Sequence, residues 1–251
     1  MNMTTKELAK KIKKYREDLD MTQADLADKV GLERATVTQI EAGNRDIASL
    51  ELVKFAKLFD VSIDDLLSED EKEELLPKTS AINIPEFNRE KFEQVLLYIL
   101  EKCGARPNVG ETVLYKLLYF ADFNFYELYE EFLTGASYRK IQHGPAPCEI
   151  TDVIKEMIDD KKIKKVVTEY FGKPQKKYLP LVESDLSKFS ASEKEVIDRV
   201  IGSLSGLNAS TISDFSHKDV PWEITKEKEI INYDTVFYRT PPYSIRSYAE
   251  E

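Results

Sequence analysis

The sequence predicts a mainly α-helical protein with a small β component: an N-terminal domain of five short helices, then a C-terminal α+β domain that is helical with a β-hairpin. Three observations lead there. Apolar residues recur at helical spacing through most of the chain. The stretch Glu111–Glu130 is apolar almost all round, which places it at the centre of a domain. Between Ser68 and Pro85 (SEDEKEELLPKTSAINIP) the chain is charged and then Pro-, Ser- and Thr-containing, with little apolar periodicity. The domains are accordingly drawn as residues 1–68, a partly helical acidic linker at 69–85, and residues 86–251.

In the first domain, Leu8, Ile12, Tyr15 and Leu19 form a stripe on a helix from Thr4 to Leu19, surrounded by Lys10, Lys11, Lys13, Lys14 and Arg16. Thr22 caps a second helix, Gln23–Val30, with Leu26, Ala27 and Val30 inward. Gly31 turns the chain into a third helix, Glu33–Ala42, with Val37 and Ile40 inward, ended by Gly43-Asn44. A fourth spans Ile47–Phe59, with Leu50, Val53, Phe55 and Ala56 inward, and a short fifth spans Ile63–Leu67. Two short helices joined through a glycine turn, within five, form the helix-turn-helix plan.

In the second domain, Asn88 caps a helix to Cys103 whose Phe92, Val95, Leu96, Ile99 and Leu100 point inward. The central helix follows. Its polar strip is narrow, formed by Lys116, Glu127 and Glu130. Asp122 falls off that strip, among Leu118, Tyr115 and Tyr129, where a carboxylate needs a partner or resists ionising. A Tyr hydroxyl, a backbone amide or an Arg such as Arg139 would serve. A strand-like run, Ser137–Gln142, leads to a tight loop at His143-Gly144-Pro145 and a helix from Cys148 to Lys161. Ile163–Phe171 and Lys176–Leu181 flank a Gly-Lys-Pro turn and predict a hairpin. Ser192 and Glu195 have capping-box spacing for a helix to Leu204. Asn208–Ser216 is another short helix, and Pro221-Trp222 closes the core. From Thr225 the chain reads as a tail that wraps back, docked by its aromatic run Tyr233–Tyr243.

Composition narrows the function. The 251 residues carry a net charge of −10. Residues 1–68 hold 11 Lys and Arg against 13 Asp and Glu, a net −2, which leaves −8 on the remainder. Nucleic-acid binding by the whole chain is disfavoured, and any such contact is local to one face. No run of about 18 apolar residues predicts a membrane span. The start MNMTTKELAKKIKKY has no apolar core for a signal peptide. Cys103 and Cys148 are the only cysteines, with no CxxC pair, which fits a reducing cytoplasm.

The residues T-Q-A-D-L-A (Thr22–Ala27), V-G-L (Val30–Leu32) and V-T-Q-I-E-A-G (Val37–Gly43) resemble the repressor/Cro-like (XRE) family. The resemblance implies that the third helix enters the major groove of DNA, with Arg34, Ala35, Thr36, Thr38 and Gln39 outward. Arg suits guanine, Gln suits adenine and Ala can touch a thymine methyl. Gln23, Asn44 and Arg45 are placed at phosphates. Glu33 departs from the pattern, because an acid facing DNA repels phosphate. Members of this family bind palindromes as dimers, which implies a homodimer through this domain and an operator with two half-sites. Thr36 and Asn44 have a second reading, as residues that serve the fold.

The second domain resembles the Panacea (SocA-like) antitoxins. K-L-L-Y-F-A-D (Lys116–Asp122), L-T-G (Leu133–Gly135), the Tyr-containing strand, Gly144-Pro145 and S-H-x-x-x-x-W (Ser216–Trp222) carry the match. His143 stands where the pattern has Tyr. The resemblance implies an antitoxin that neutralises a neighbouring protein toxin by direct binding, while the helix-turn-helix represses the shared operon. Two alternatives remain: a regulator whose second domain senses a ligand, and an adaptor that hands its partner to a protease. The partner surface is drawn at Tyr119, Phe123, Tyr138, Arg139 and His143. Asp122, His217 and Trp222 are drawn as a structural polar hub, with His217 and Trp222 making a buried hydrogen bond and a packing contact.

An enzyme would have to use Asp122, His143, Cys148 and His217. Cys148 opens an amphipathic helix, where packing explains it, and two His with a Cys lack metal-site spacing and a fourth ligand. The sequence therefore predicts no enzyme, no cofactor and no metal.

Overall fold

Helix formation in the first unit is set by a reciprocal capping box at Thr4: its side chain accepts from the Glu7 amide while Glu7 accepts from the Thr4 amide. The computed structural model describes residues 4–59, 61, 63–67 and 86–246, so the linker drawn at 69–85 lies outside the described residues. Residues 4–67 and 167–175 group as one compact unit, and residues 86–166 with 176–246 as another. The architecture is mainly helical, with two small two-stranded sheets.

The first unit comprises α1 (Thr5–Asp18), α2 (Gln23–Val30), α3 (Arg34–Glu41), α4 (Ser49–Phe59) and α5 (Ile63–Leu67). A second capping box, Thr22 with Asp25, starts α2. Gly31 ends it in the left-handed region at φ 63°, open to glycine without strain. Ile12, Leu26, Val30, Val37, Ile40, Phe55 and Leu66 meet in one core. Leu50, expected inward, is 79 % exposed. The buried seam of α4 runs instead through Leu52, Phe55, Ala56 and Phe59, one helical face from which Leu50 is excluded. Arg16 is not a surface cation either. Its side chain is 10 % exposed and clamps Glu41, with Nε at 2.6 Å, and its Nη1 donates to the Met21 carbonyl at 2.8 Å, tying α1 to α3. The hydrogen bond that Arg16 donates to Glu41 outweighs burial and holds the guanidinium above its ordinary pKa.

The second unit is organised around α7 (Glu111–Tyr129), on which α6 (Arg89–Ile99) packs. A π-helical turn, Leu100–Gly104, continues α6. β1 (Tyr138–Ile141) and β2 (Gly144–Pro147) pair antiparallel, Tyr138 opposite Pro147 and Ile141 opposite Gly144. Gly144-Pro145 is thus part of a strand rather than a loop. Two prolines fit because β2 is paired on one edge only, so their missing N–H groups cost no ladder bond. α8 (Ile150–Asp159) leads to the second hairpin, β3 (Ile163–Tyr170) and β4 (Lys173–Pro180), rooted in the core by Ile163 and Tyr178.

α9 (Ala191–Leu204), α10 (Ala209–His217) and α11 (Val220–Ile224) complete the unit, with single 3₁₀ turns at Leu186–Lys188 and Tyr233–Tyr238. The capping box of α9 is Ser190 with Glu193, two residues before the expected pair. Ser190 has the extended backbone a cap needs, whereas Ser192 lies inside the first turn. After α11 the chain returns to the outer edge of β1: Lys140 N donates to the Glu229 carbonyl at 3.0 Å and Ile231 N to the Tyr138 carbonyl at 2.8 Å. The wrapped tail is therefore bound by backbone pairing as well as by its aromatic rings. Among the described residues no helix is long and apolar enough to cross a membrane.

Candidate DNA-binding face and the polar core of the second unit

Burying Val37 and Ile40 of α3 forces the opposite side of that helix outward. Arg34, Ala35, Thr38 and Gln39 are exposed there and Thr36 is partly covered. The side chains differ in how committed they are. Thr38 Oγ1 donates both to the Arg34 carbonyl and to Gln23 Oε1, each at 3.0 Å, and Gln23 Nε2 donates to Glu41 Oε2 at 2.9 Å. Gln23 thus extends the Arg16–Glu41 clamp across α2 and α3. Arg45 makes a two-pronged pair with Glu51 at 3.2 and 3.0 Å, so a phosphate would have to share it with that carboxylate. Asn44 is exposed beside it. Arg34 and Gln39 make no side-chain hydrogen bond among the described residues and are the two long polar side chains of α3 available to an external partner. Glu33 caps α3 by position without a side-chain bond.

In the second unit the structure corrects the expected partner surface. Tyr119, Phe123 and Tyr138 are fully buried. They seemed marginal because they flank Lys116 and Glu127, but those two charged residues are themselves 1 % exposed, so there is no solvated strip beside them. The three rings instead form one aromatic cluster with Tyr233, the Phe123 and Tyr233 rings stacked at 4.1 Å. Arg139 and His143 are partly exposed. The buried Arg139 Nε has no hydrogen-bond partner, and the donors to Asp122 are Thr134 and Tyr138 rather than Arg139.

Asp122 is satisfied from the segment after α7. Its carboxylate accepts from Tyr138 OH at 2.6 Å, from the Thr134 amide at 2.9 Å and from Thr134 Oγ1 at 2.8 Å. Burial raises its pKa to about 6 even though these bonds pull it down. The contacts fix the turn at Gly135, where φ is 69° and an added Cβ would lie 2.3 Å from the Glu86 carbonyl oxygen. His217 and Trp222 are not among the hydrogen-bond partners of Asp122. Their rings stack at 4.2 Å, but the expected hydrogen bond is absent: buried His217 Nε2 and Trp222 Nε1 have no partner. The polar hub is thus two separate sites.

A third polar site has no counterpart in the sequence reading. Arg239, brought back by the tail, is fully buried between Asp219 and Glu127. Its Nε and Nη2 donate to Asp219 at 2.8 and 2.5 Å, and its Nη1 donates to Asn124 and Glu127 at 2.9 and 3.0 Å. Tyr119 OH donates to the same Asp219 carboxylate at 2.8 Å. Burial alone would lower the Arg239 pKa, and the Asp219 and Glu127 charges raise it instead. The only clue in the sequence is an arginine inside an aromatic tail.

Comparison with known proteins matches both halves. Residues 12–66 match the helix-turn-helix family model, and residues 114–223 match the model described as antitoxin SocA-like, Panacea domain. An uncharacterized HTH-type transcriptional regulator of Methanocaldococcus jannaschii is 43 % identical over 56 residues, covering 22 % of this chain and 85 % of the relative. One from Archaeoglobus fulgidus is 35 % identical over 63 residues, covering 25 % and 89 %. The HTH-type regulator YqaE of Bacillus subtilis is 32 % identical over 77 residues, covering 30 % and 66 %. Among solved structures, the restriction-modification controller protein C.AhdI of Aeromonas hydrophila is 24 % identical, covering 25 % of this chain and 96 % of its own, with a TM-score of 0.24. The helix-turn-helix match lies within the first unit, and the Panacea match runs from within α7 to within α11. The chain therefore belongs to the XRE-type helix-turn-helix transcriptional regulators, and it joins to that module a SocA-like Panacea antitoxin domain.

Proposed function

We propose that this protein is the antitoxin and autorepressor of a toxin–antitoxin pair. The second unit neutralises a cognate protein toxin by direct contact, and the first unit, as a homodimer, represses the shared operon in the cytoplasm. The observation that carries the reading is the union, in one chain, of an exposed α3 face with a SocA-like Panacea domain. With Tyr119, Phe123 and Tyr138 in the core, the partner surface moves to the exposed turn between β1 and β2. There Ile141 is 37 % exposed and is flanked by Arg139, Gln142 and His143. A small apolar contact ringed by polar side chains is the composition of a protein interface.

Two experiments test the two halves. Arg34→Ala and Gln39→Ala remove the two uncommitted side chains of α3, and each is expected to weaken operator binding by about 1–3 kcal/mol, roughly tenfold to a hundredfold. Stability should hold, because neither side chain is buried. Full operator affinity in the double variant, by gel shift at fixed salt, would remove α3 as the reading helix. For the second half, the adjacent gene is expressed in a bacterial host alone and with this protein. Growth arrest relieved by the full chain, and equally by the Arg34→Ala/Gln39→Ala variant, is the expected result. Absence of a toxic neighbour would end the antitoxin reading and leave the regulator.

A further inference from the structure

Lys116 is the least expected side chain in the second unit. It lies on α7, most of whose residues are buried, and is 1 % exposed. No carboxylate or carbonyl binds its ammonium among the described residues, and burial alone pulls its pKa down to about 7. An uncompensated buried amine is costly and asks for a reason.

The surroundings of Lys116 include buried ring nitrogens that nothing satisfies, while the nearest hydroxyl, Ser216 Oγ, spends its proton on the Ser213 carbonyl. A Cβ added at Gly144, where φ is 93°, would lie 3.2 Å from Lys116 Nζ and 2.3 Å from Ser216 Oγ, so both groups crowd one point beside the β2 backbone. The next residue, His217, has a buried Nε2 with no partner, and the Trp222 ring stacked on it has a buried Nε1–H with none. Lys140 Nζ lies 3.8 Å over the Trp222 ring. Burial, and after it the Lys116 charge, hold the His217 pKa below its ordinary value, with exposed Asp214 opposing them. Other nearby carboxylates do not compensate. Asp219 is taken by Arg239 and Tyr119, and Glu227 reaches Lys140 only at 3.8 Å while 66 % exposed.

We propose that this cluster is a binding site for a small oxyanion, a carboxylate or a phosphate, held by Lys116 Nζ, by Trp222 Nε1–H and by His217 in the tautomer that carries its proton on Nε2. An oxyanion carries only acceptors, so it supplies what every orphan donor here lacks. The enclosure restricts the ligand to a small group. Lys116 is covered, while Trp222, whose ring stacks on His217 at 4.2 Å, is partly exposed. Entry therefore displaces Trp222, on the short α11 that leads into the strand pairing with β1. Occupancy is thereby coupled to the β1–β2 turn, giving the second unit a ligand input whether or not it also binds a toxin.

Trp222 is the sole tryptophan, which makes the test direct. The full chain is titrated with inorganic phosphate, and separately with acetate, against chloride at constant ionic strength, reading tryptophan fluorescence and melting temperature. The expected result is a saturable fluorescence change and a rise in melting temperature with at least one of the two anions, and which one responds identifies the source. Lys116→Met keeps length and apolar bulk, and it should melt no lower than wild type without anion while losing the saturable response. His217→Phe keeps the ring stack but removes the nitrogens, and should weaken binding by about tenfold, the worth of a charge-assisted hydrogen bond. A response to neither anion, or an equal response in Lys116→Met, overturns the site.

Discussion

Arg239→Ala is expected to destabilise the second unit by about 3–5 kcal/mol, the cost of leaving buried carboxylates without their cation. Asp219 and the guanidinium are fully buried and Glu127 is 2 % exposed, so water cannot replace the lost partner. The damage spreads because the cluster joins distant parts of the chain. Asn124 and Glu127 come from α7, Asp219 begins α11, and Arg239 ends the 3₁₀ turn of the tail. Ser244 and the Ile245 amide also bind Glu127, at 2.6 and 3.1 Å, so the last described residues depend on the same carboxylate. Arg239→Lys keeps the charge but cannot make the two-pronged contact to Asp219, and should lose roughly half as much. Urea unfolding followed by Trp222 fluorescence reads this unit, and a wild-type midpoint in Arg239→Ala would show that the pair does not hold the tail.

Arg239 also marks where sequence reading fails. Periodicity reports which residues share a helix face, and it located α7, its inward stripe and the misplaced Asp122. The turn at Gly31 and the Thr22 cap of the first unit were equally readable, because their causes are local. Nothing local to Thr240-Pro241-Pro242 announces a buried arginine, since its partners lie 20 and more than 100 positions away. The same limit misplaced Tyr119 and Phe123. A helix apolar nearly all round is covered on every side, and the charges that seemed to mark its wet edge are paired through the tail, as Glu127 is, or buried alone, as Lys116 is. In β2, strand propensity argued against Gly-Pro-Ala-Pro, and pairing with β1 overrode it.

The pH dependence of stability should show a minimum near neutrality, set by two buried groups of α7. Burial moves Asp122 from 3.8 to about 6, with the Tyr138 and Thr134 hydrogen bonds opposing. Between those values the unfolded chain has released the proton that the folded chain keeps. Stability therefore falls as pH rises through this window, by about 3 kcal/mol at roughly 1.4 kcal/mol per unit. Burial moves Lys116 the other way, from 10.5 to about 7. Between those values the unfolded chain holds the proton that the folded chain lacks, so stability rises with pH, by about 5 kcal/mol on the same scale. Both penalties are nearly complete between roughly pH 6 and 7. Asp122→Asn should flatten the acid limb of the curve. Lys116→Met should flatten the alkaline limb and raise stability at neutral pH, because the uncompensated ammonium is gone and its place is already apolar. Urea midpoints across this range decide the matter: a curve with its maximum at neutrality would mean that Lys116 has an acceptor in solution. If adding phosphate removes the minimum in wild type but leaves Lys116→Met unchanged, that acceptor is the bound oxyanion.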